Sequence, residues 1–255
     1  QKCSVCNILI CFILECSGAI LYQCQHCFVI SGVLAQENIV GDPHAQGSSY
    51  IAASYVKYLE SAGARVVPIR YVLLLPGGGV DLQTSQFSRL SKIFLLLLFH
   101  ARVLSSRPTD YFPIWGMCQG LQQMTVLTSN KNLLTPTETK AVALPFTFTP
   151  GQRQHCAFPR DLLLSLSEDN ITSKFHSWSL SLQLQHFYTF LPWKGLYTNR
   201  YPFYAVQWHP EKSPFEWVDK PGMVHSAASV RASFYTAHFF VSEVKNNFLF
   251  ATVAW

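Results

Sequence analysis

The chain has 255 residues, of which 49% are hydrophobic and 13% charged, and it carries a formal net charge of +5. That length can bury a sizeable core as one large domain or two small ones, and the composition excludes a disordered chain. The positive balance is modest and forms no long basic run, which excludes nucleic acid as the main partner.

The first stretch is apolar from Val5 to Leu21, follows Lys2 and reaches the small residues Ser17, Gly18 and Ala19. Residues 1–19 therefore resemble a secretory signal peptide, although Glu15 interrupts the run. Six of the eight cysteines lie within the first 27 residues. Cys3-x-x-Cys6 and Cys24-x-x-Cys27 have the spacing of a zinc ribbon, but the interval between them is apolar where a ribbon needs polar turns. Only Cys118 and Cys156 remain in the body, too few for a disulfide framework. No stretch of about 18 uninterrupted apolar residues exists, so no membrane span is expected.

Phe28–Leu34 reads as a first buried strand, and the polar residues 36–49, with Gly41, Pro43 and Gly47, read as a loop. Tyr50–Ala62 has Ile51, Ser54, Tyr55, Tyr58 and Leu59 at helical spacing, and Gly63 is placed as its stop. Arg65–Ile69 is a second strand. Val72–Leu75 is a third, ending at Pro76-Gly77-Gly78-Gly79. A helix is expected over Leu82–Leu98, a fourth strand over Tyr111–Trp115 and a helix over Leu121–Thr128. Beyond residue 130 the pattern is less regular. Leu133–Phe148 suits antiparallel strands, Asp161–Leu166 a short helix, Tyr204–Trp208 a strand and Val230–Val244 a final helix. The alternation in the first half predicts an α/β fold with a parallel sheet.

One junction is physically awkward. Parallel neighbours need a crossover of a dozen residues or more, yet only Arg70 and Tyr71 separate the second and third strand-like runs. Either the two form one long strand, or a crossover segment is absent.

Two motifs carry the chemistry. In Phe112-Pro-Ile-Trp-Gly-Met-Cys118-Gln-Gly120 a buried strand runs into a glycine-flanked cysteine with a helix behind it. This is the pattern of a nucleophile elbow: glycines permit a strained turn, and the helix N-terminus favours negative charge and offers N–H groups to an oxyanion. In Gln207-Trp-His209-Pro-Glu211-Lys212, a histidine follows a strand and a carboxylate stands two residues on, where it can orient the imidazole. Cysteine, histidine and acid are the parts of a thiol acyl-transfer site. The Gly77–Gly79 turn ends another strand and can supply a second oxyanion donor. His176 is a further candidate, for binding rather than base catalysis. Asn170-Ile171-Thr172 is a glycosylation sequon, relevant only to a secreted chain.

These segments, with Tyr50–Pro68, Phe175-His-Ser-Trp-Ser-Leu180 and the tail after Lys212, resemble the class I glutamine amidotransferase fold and, more closely, the gamma-glutamyl hydrolase family. The resemblance covers roughly Val29 to Asn247, and residues 28–247 are expected as one domain. It implies a three-layer α/β/α architecture with a mostly parallel central sheet. It also implies a secreted or lysosomal cysteine hydrolase with no metal or cofactor, acting on folylpoly-γ-glutamates, usually as a homodimer. By resemblance, Cys118 is the nucleophile, His209 the general acid and base, Glu211 the orienting acid and His176 a substrate-binding residue. The backbone near Gly78 and Gln119 is the oxyanion hole. The chain departs from the family in three places. The crossover after Ile69 is missing, the stretch between Leu180 and Tyr201 is short, and Gln122 stands where an acid is expected. Two other readings follow: a relative that binds polyglutamates without turnover, and an amidotransferase component that passes ammonia from free glutamine to a synthase.

Overall fold

The computed structural model describes residues 29–38, 41–43, 45–69, 74–104, 113–146, 148, 158–180 and 203–252. The signal-like segment, the paired N-terminal cysteines, Cys156 and the 181–202 stretch lie outside the described residues.

Among the described residues, five parallel strands form the central sheet: β1 (Val29–Leu34), β4 (Ala64–Ile69), β5 (Leu74–Leu75), β6 (Ile114–Met117) and β9 (Phe203–Val206), in the order β4-β1-β5-β6-β9. Helices cover both faces, as the period of two along each strand requires. Val33, Leu74, Trp115, Tyr204 and Val206 point to one core. It is completed by α1 (Ala53–Ser61), α4 (Arg160–Glu168) and α6 (Ala227–Thr252), with Phe215 of the short α5 (Lys212–Phe215) packed against it. Their sequence neighbours Leu34, Leu75, Ile114 and Ala205 point to the opposite core, closed by α2 (Gln86–Leu104) and α3 (Gln119–Ser129). Trp115, wholly buried, packs its ring 5.3 Å from Phe240 of α6.

The awkward junction resolves in the strand order. β4 and β5 are not neighbours, because β1 lies between them. Ile69 stands opposite Leu34 and Leu74 opposite Val33. Their ends are therefore about 10 Å apart across one strand, and the five residue steps from Ile69 to Leu74 reach at most ~17 Å. So short a connection cannot return to the amino end of the sheet. It brings the described part of β5 in at the carboxyl end. The one-long-strand alternative falls, and the absent crossover stands.

Several boundaries move for local reasons. Residues 36–49, expected as a loop, hold a small antiparallel ribbon of β2 (Gln36–Glu37) and β3 (Ser49–Tyr50). It is extended by Asn38, whose backbone N–H donates to Ser48 O at 3.0 Å and whose side-chain amide donates to Gly47 O at 2.9 Å. α2 starts at Gln86 rather than Leu82. Asp81 Oδ1 first accepts the N–H groups of Gln83 and Thr84, and Ser85 Oγ then accepts the Ser88 N–H at 2.9 Å as the helix cap. β7 (Leu134–Leu144) pairs antiparallel with β8 (Thr172–Leu180), a strand the sequence reading did not anticipate. Among the described residues, no helix is long and apolar enough to cross a membrane.

Candidate active site

Parallel pairing of β6 with β9 builds the site. Met117 is in register with Val206, and the Cys118 N–H donates to Val206 O at 2.8 Å. Cys118 and His209 therefore emerge together at the carboxyl end of the sheet, where open α/β sheets place their sites. α3 begins at Gln119, two residues earlier than expected, so Cys118 itself is the cap residue. Its backbone has φ 48° and ψ −105°. A non-glycine residue held there costs on the order of 1–3 kcal/mol, a strain typical of elbow nucleophiles. The turn closes only because its neighbours lack side chains. A Cβ on Gly120 would lie 2.0 Å from Leu75 O, and one on Gly116 would lie 2.9 Å from the Gly120 carbonyl carbon.

His209 is anchored by its backbone N–H, which donates to Ser173 O of β8 at 2.9 Å. Its Nδ1 donates to Glu211 Oε1 at 2.7 Å, and the ring lies within electrostatic reach of Cys118. Glu211 is wholly buried. Burial pushes the imidazole down, but the negative charges of Glu211 and Cys118 outweigh it and hold His209 up at about 10. The histidine is thus an imidazolium at neutral pH, placed to give a proton to a leaving group.

The glycine turn after β5 lies against this group. A Cβ on Gly77 would be 2.6 Å from His209 Cε1, and one on Gly78 would be 2.4 Å from Gln119 Oε1. Gln36 Nε2 donates to Gln119 Oε1 at 3.2 Å, and the Gln119 amide donates to Val80 O, tying the turn to the start of α3. Gly78 and Gln119, named from sequence, are therefore adjacent.

Tyr55 is a site residue that sequence reasoning missed. Its hydroxyl oxygen accepts the Gly77 N–H at 2.8 Å, and the phenol lies within electrostatic reach of Glu211. Burial first, then the charges of Glu211 and Cys118, pushes the phenol well above its ordinary value, so it stays protonated. In the sequence it is one more aromatic on the buried stripe of a helix, and only the tertiary approach of α1 distinguishes it. Tyr55→Phe is expected to leave the Gly77 N–H unpaired and cost about 1–3 kcal/mol in a denaturant titration, with a lower kcat because the turn beside His209 loosens.

No family model matches the chain, but individual proteins do. The gamma-glutamyl hydrolase of Rattus norvegicus is 44% identical over 252 residues, covering 86% of this chain and 78% of that protein. The gamma-glutamyl hydrolase of Homo sapiens is 42% identical, covering 79% and 73%. Gamma-glutamyl hydrolase B of Dictyostelium discoideum is 32% identical, covering 79% and 67%. This chain belongs to the gamma-glutamyl hydrolase family. Among solved structures, a GMP synthase chain from Thermoplasma acidophilum aligns at 13% identity with a TM-score of 0.45, covering 87% of this chain and 98% of that one.

Further polar groups of this gamma-glutamyl hydrolase family member lie on β8, on α3 and just before His209. His176 on β8 is buried, and its Nδ1 lies 2.9 Å from Thr139 Oγ1, whose hydroxyl donates to His176 O. Burial, then the charges of Lys174 and His209, pushes His176 down to about 4, keeping it neutral. His176 Nε2 and both amide atoms of Gln207 are buried without a hydrogen-bond partner among the described residues. Gln207, also not singled out from sequence, is the residue two before His209. Gln122, where the resemblance led to an acid, donates from Nε2 to Trp178 O at 2.7 Å. A carboxylate there would have no proton to give. Asn170 is exposed at the turn before β8.

Proposed function

We propose that this chain cleaves the γ-glutamyl bonds of folylpoly-γ-glutamates through a thioester at Cys118. The observation that carries the reading is the buried Cys118–His209–Glu211 arrangement on a strained elbow, in a chain 44% identical to a gamma-glutamyl hydrolase.

The Cys118 sulfur attacks the γ-carbonyl carbon, and the oxyanion is received by backbone N–H groups near Gly78 and Gln119. His209 passes its proton to the departing glutamate amine, leaving an acyl-thioester and a neutral imidazole. The imidazole then takes a proton from water, whose oxygen attacks the thioester. The γ-carboxylic acid leaves and the thiolate–imidazolium pair returns. Glu211 holds the imidazole ring in place throughout and stabilises its charge. His176 Nε2 and the Gln207 amide, without a hydrogen-bond partner among the described residues, bind the substrate's polar groups. The chain acts in a secretory or lysosomal compartment, where Asn170 is open to glycosylation, and as a homodimer.

Incubation with a pteroyl-poly-γ-glutamate and with its α-linked isomer tests the reading. Shortening of the γ-linked chain alone is expected. Absence of turnover, or equal cleavage of the α-linked isomer, contradicts it.

A further inference from the structure

Phe175 of β8 lies edge-on to the His209 imidazole, with ring centroids 5.9 Å apart. Two ammonium groups sit over its ring: Lys212 Nζ at 5.6 Å from the centroid and Lys220 Nζ at 5.0 Å. An aromatic face holds a cation within about 6 Å. The two lysines differ in what else they bind. Lys212 is committed to Glu216, 2.5 Å from Oε2, while Ser54 donates to the other oxygen at 2.6 Å. Lys220 is exposed and forms no ion pair among the described residues, nor does its neighbour Asp219.

The loop carrying Lys220 is held at both ends. Trp217 stacks on His225 with centroids 4.1 Å apart and planes 9° apart. Gly222, at φ 80°, lies so close to β7 that a Cβ would be 2.4 Å from the Ala141 carbonyl carbon. The Met223 N–H closes the turn on Lys220 O at 3.1 Å. An uncommitted cation is thus presented on a braced loop, one aromatic ring away from the catalytic imidazole.

We propose that Lys220 binds an α-carboxylate of the γ-linked chain and so favours longer polyglutamates. The inference rests on the γ-glutamyl hydrolase reading above. Linkage through the γ-carbonyl leaves every α-carboxylate free, so the substrate carries one negative charge per unit. An extended γ-glutamyl unit spans ~6 Å, the ~3.5 Å of an α-linked residue lengthened by two methylenes. The separations through Phe175 place the ammonium one to two units from His209.

The test compares the unmodified chain with Lys220→Met and Lys220→Arg. Both turnover and equilibrium binding are measured on a short and a long pteroyl-γ-glutamate, at low and high salt. For the long substrate, Lys220→Met is expected to raise KM and Kd by about three- to fivefold at low salt. Its kcat stays within about twofold, and Lys220→Arg restores the affinity. The difference shrinks at high salt and on the short substrate. Equal affinity of the Met variant for the long chain at low salt overturns the proposal. Binding is read independently of turnover: a parent that binds but does not cleave contradicts the proposed function, while the Lys220 comparison is still decided.

Discussion

Cys118→Ala is expected to lose turnover of poly-γ-glutamates by at least about 10⁴-fold while remaining folded. In the proposed mechanism, removing the nucleophile leaves only the oxyanion donors and binding, so the remaining rate approaches that of a site with no triad. The fold should tolerate the change, because the elbow is shaped by what surrounds it. Gly116 and Gly120 admit the backbone, the Cys118 N–H is held by Val206 O, and Cys118 O accepts the Gln122 N–H at 3.1 Å. None of these contacts involves the sulfur. The unfolding midpoint of the variant checks that the loss is chemical, and binding of an oligo-γ-glutamate should survive.

Glu211→Gln is the second large effect, on rate, pH dependence and stability together. The amide keeps an oxygen near Nδ1 but loses the charge that, against burial, holds His209 at about 10. The expected loss in kcat is about 10²–10⁴-fold, in line with acid-to-amide changes in other triads. Because the parent imidazolium persists to high pH, the alkaline limb of its rate profile lies far above the ordinary histidine range. In the variant that limb moves to lower pH. Stability follows the same sign. A histidine raised in the folded state contributes stability that is fully present below about 6.5 and is lost as pH rises through about 10. The parent should therefore exceed the variant in urea midpoint at neutral pH, and the gap should narrow as the pH approaches 10. A rate profile with an unchanged alkaline limb would assign that titration to another group.

Much of this site is legible in the sequence because its chemistry is local. Gly116, Cys118 and Gly120 sit within five residues, and the strand-to-helix change around them is visible as a change of hydrophobic period. His209 and Glu211 are two residues apart, and their shared carboxyl-end position follows from each motif closing a strand. Tyr55 and Gln36 were not legible as site residues. Each reaches the site from a different element, and each looks in sequence like ordinary filling. β8 was missed for another reason: Phe175 points to one face while Trp178 and Leu180 point to the other, so the alternation that marks a half-buried strand is absent. The β4–β5 junction shows the reverse case. The loop-length argument identified the anomaly from sequence, and the strand order shows how the sheet absorbs it. Leu75 is in register with Gly116, and the glycine turn that follows it reaches His209.

In the proposed mechanism, water reaches the substrate only after an acyl group has been carried on Cys118. Hydroxylamine added during turnover of a pteroyl-poly-γ-glutamate tests this most directly. An acyl-thioester partitions between water and hydroxylamine, so the account predicts a γ-glutamyl hydroxamate that grows with hydroxylamine concentration while release of the glutamate amine product continues. Sustained amine release with no hydroxamate at any hydroxylamine concentration would contradict a thioester at Cys118 and assign the cleavage to direct attack by water.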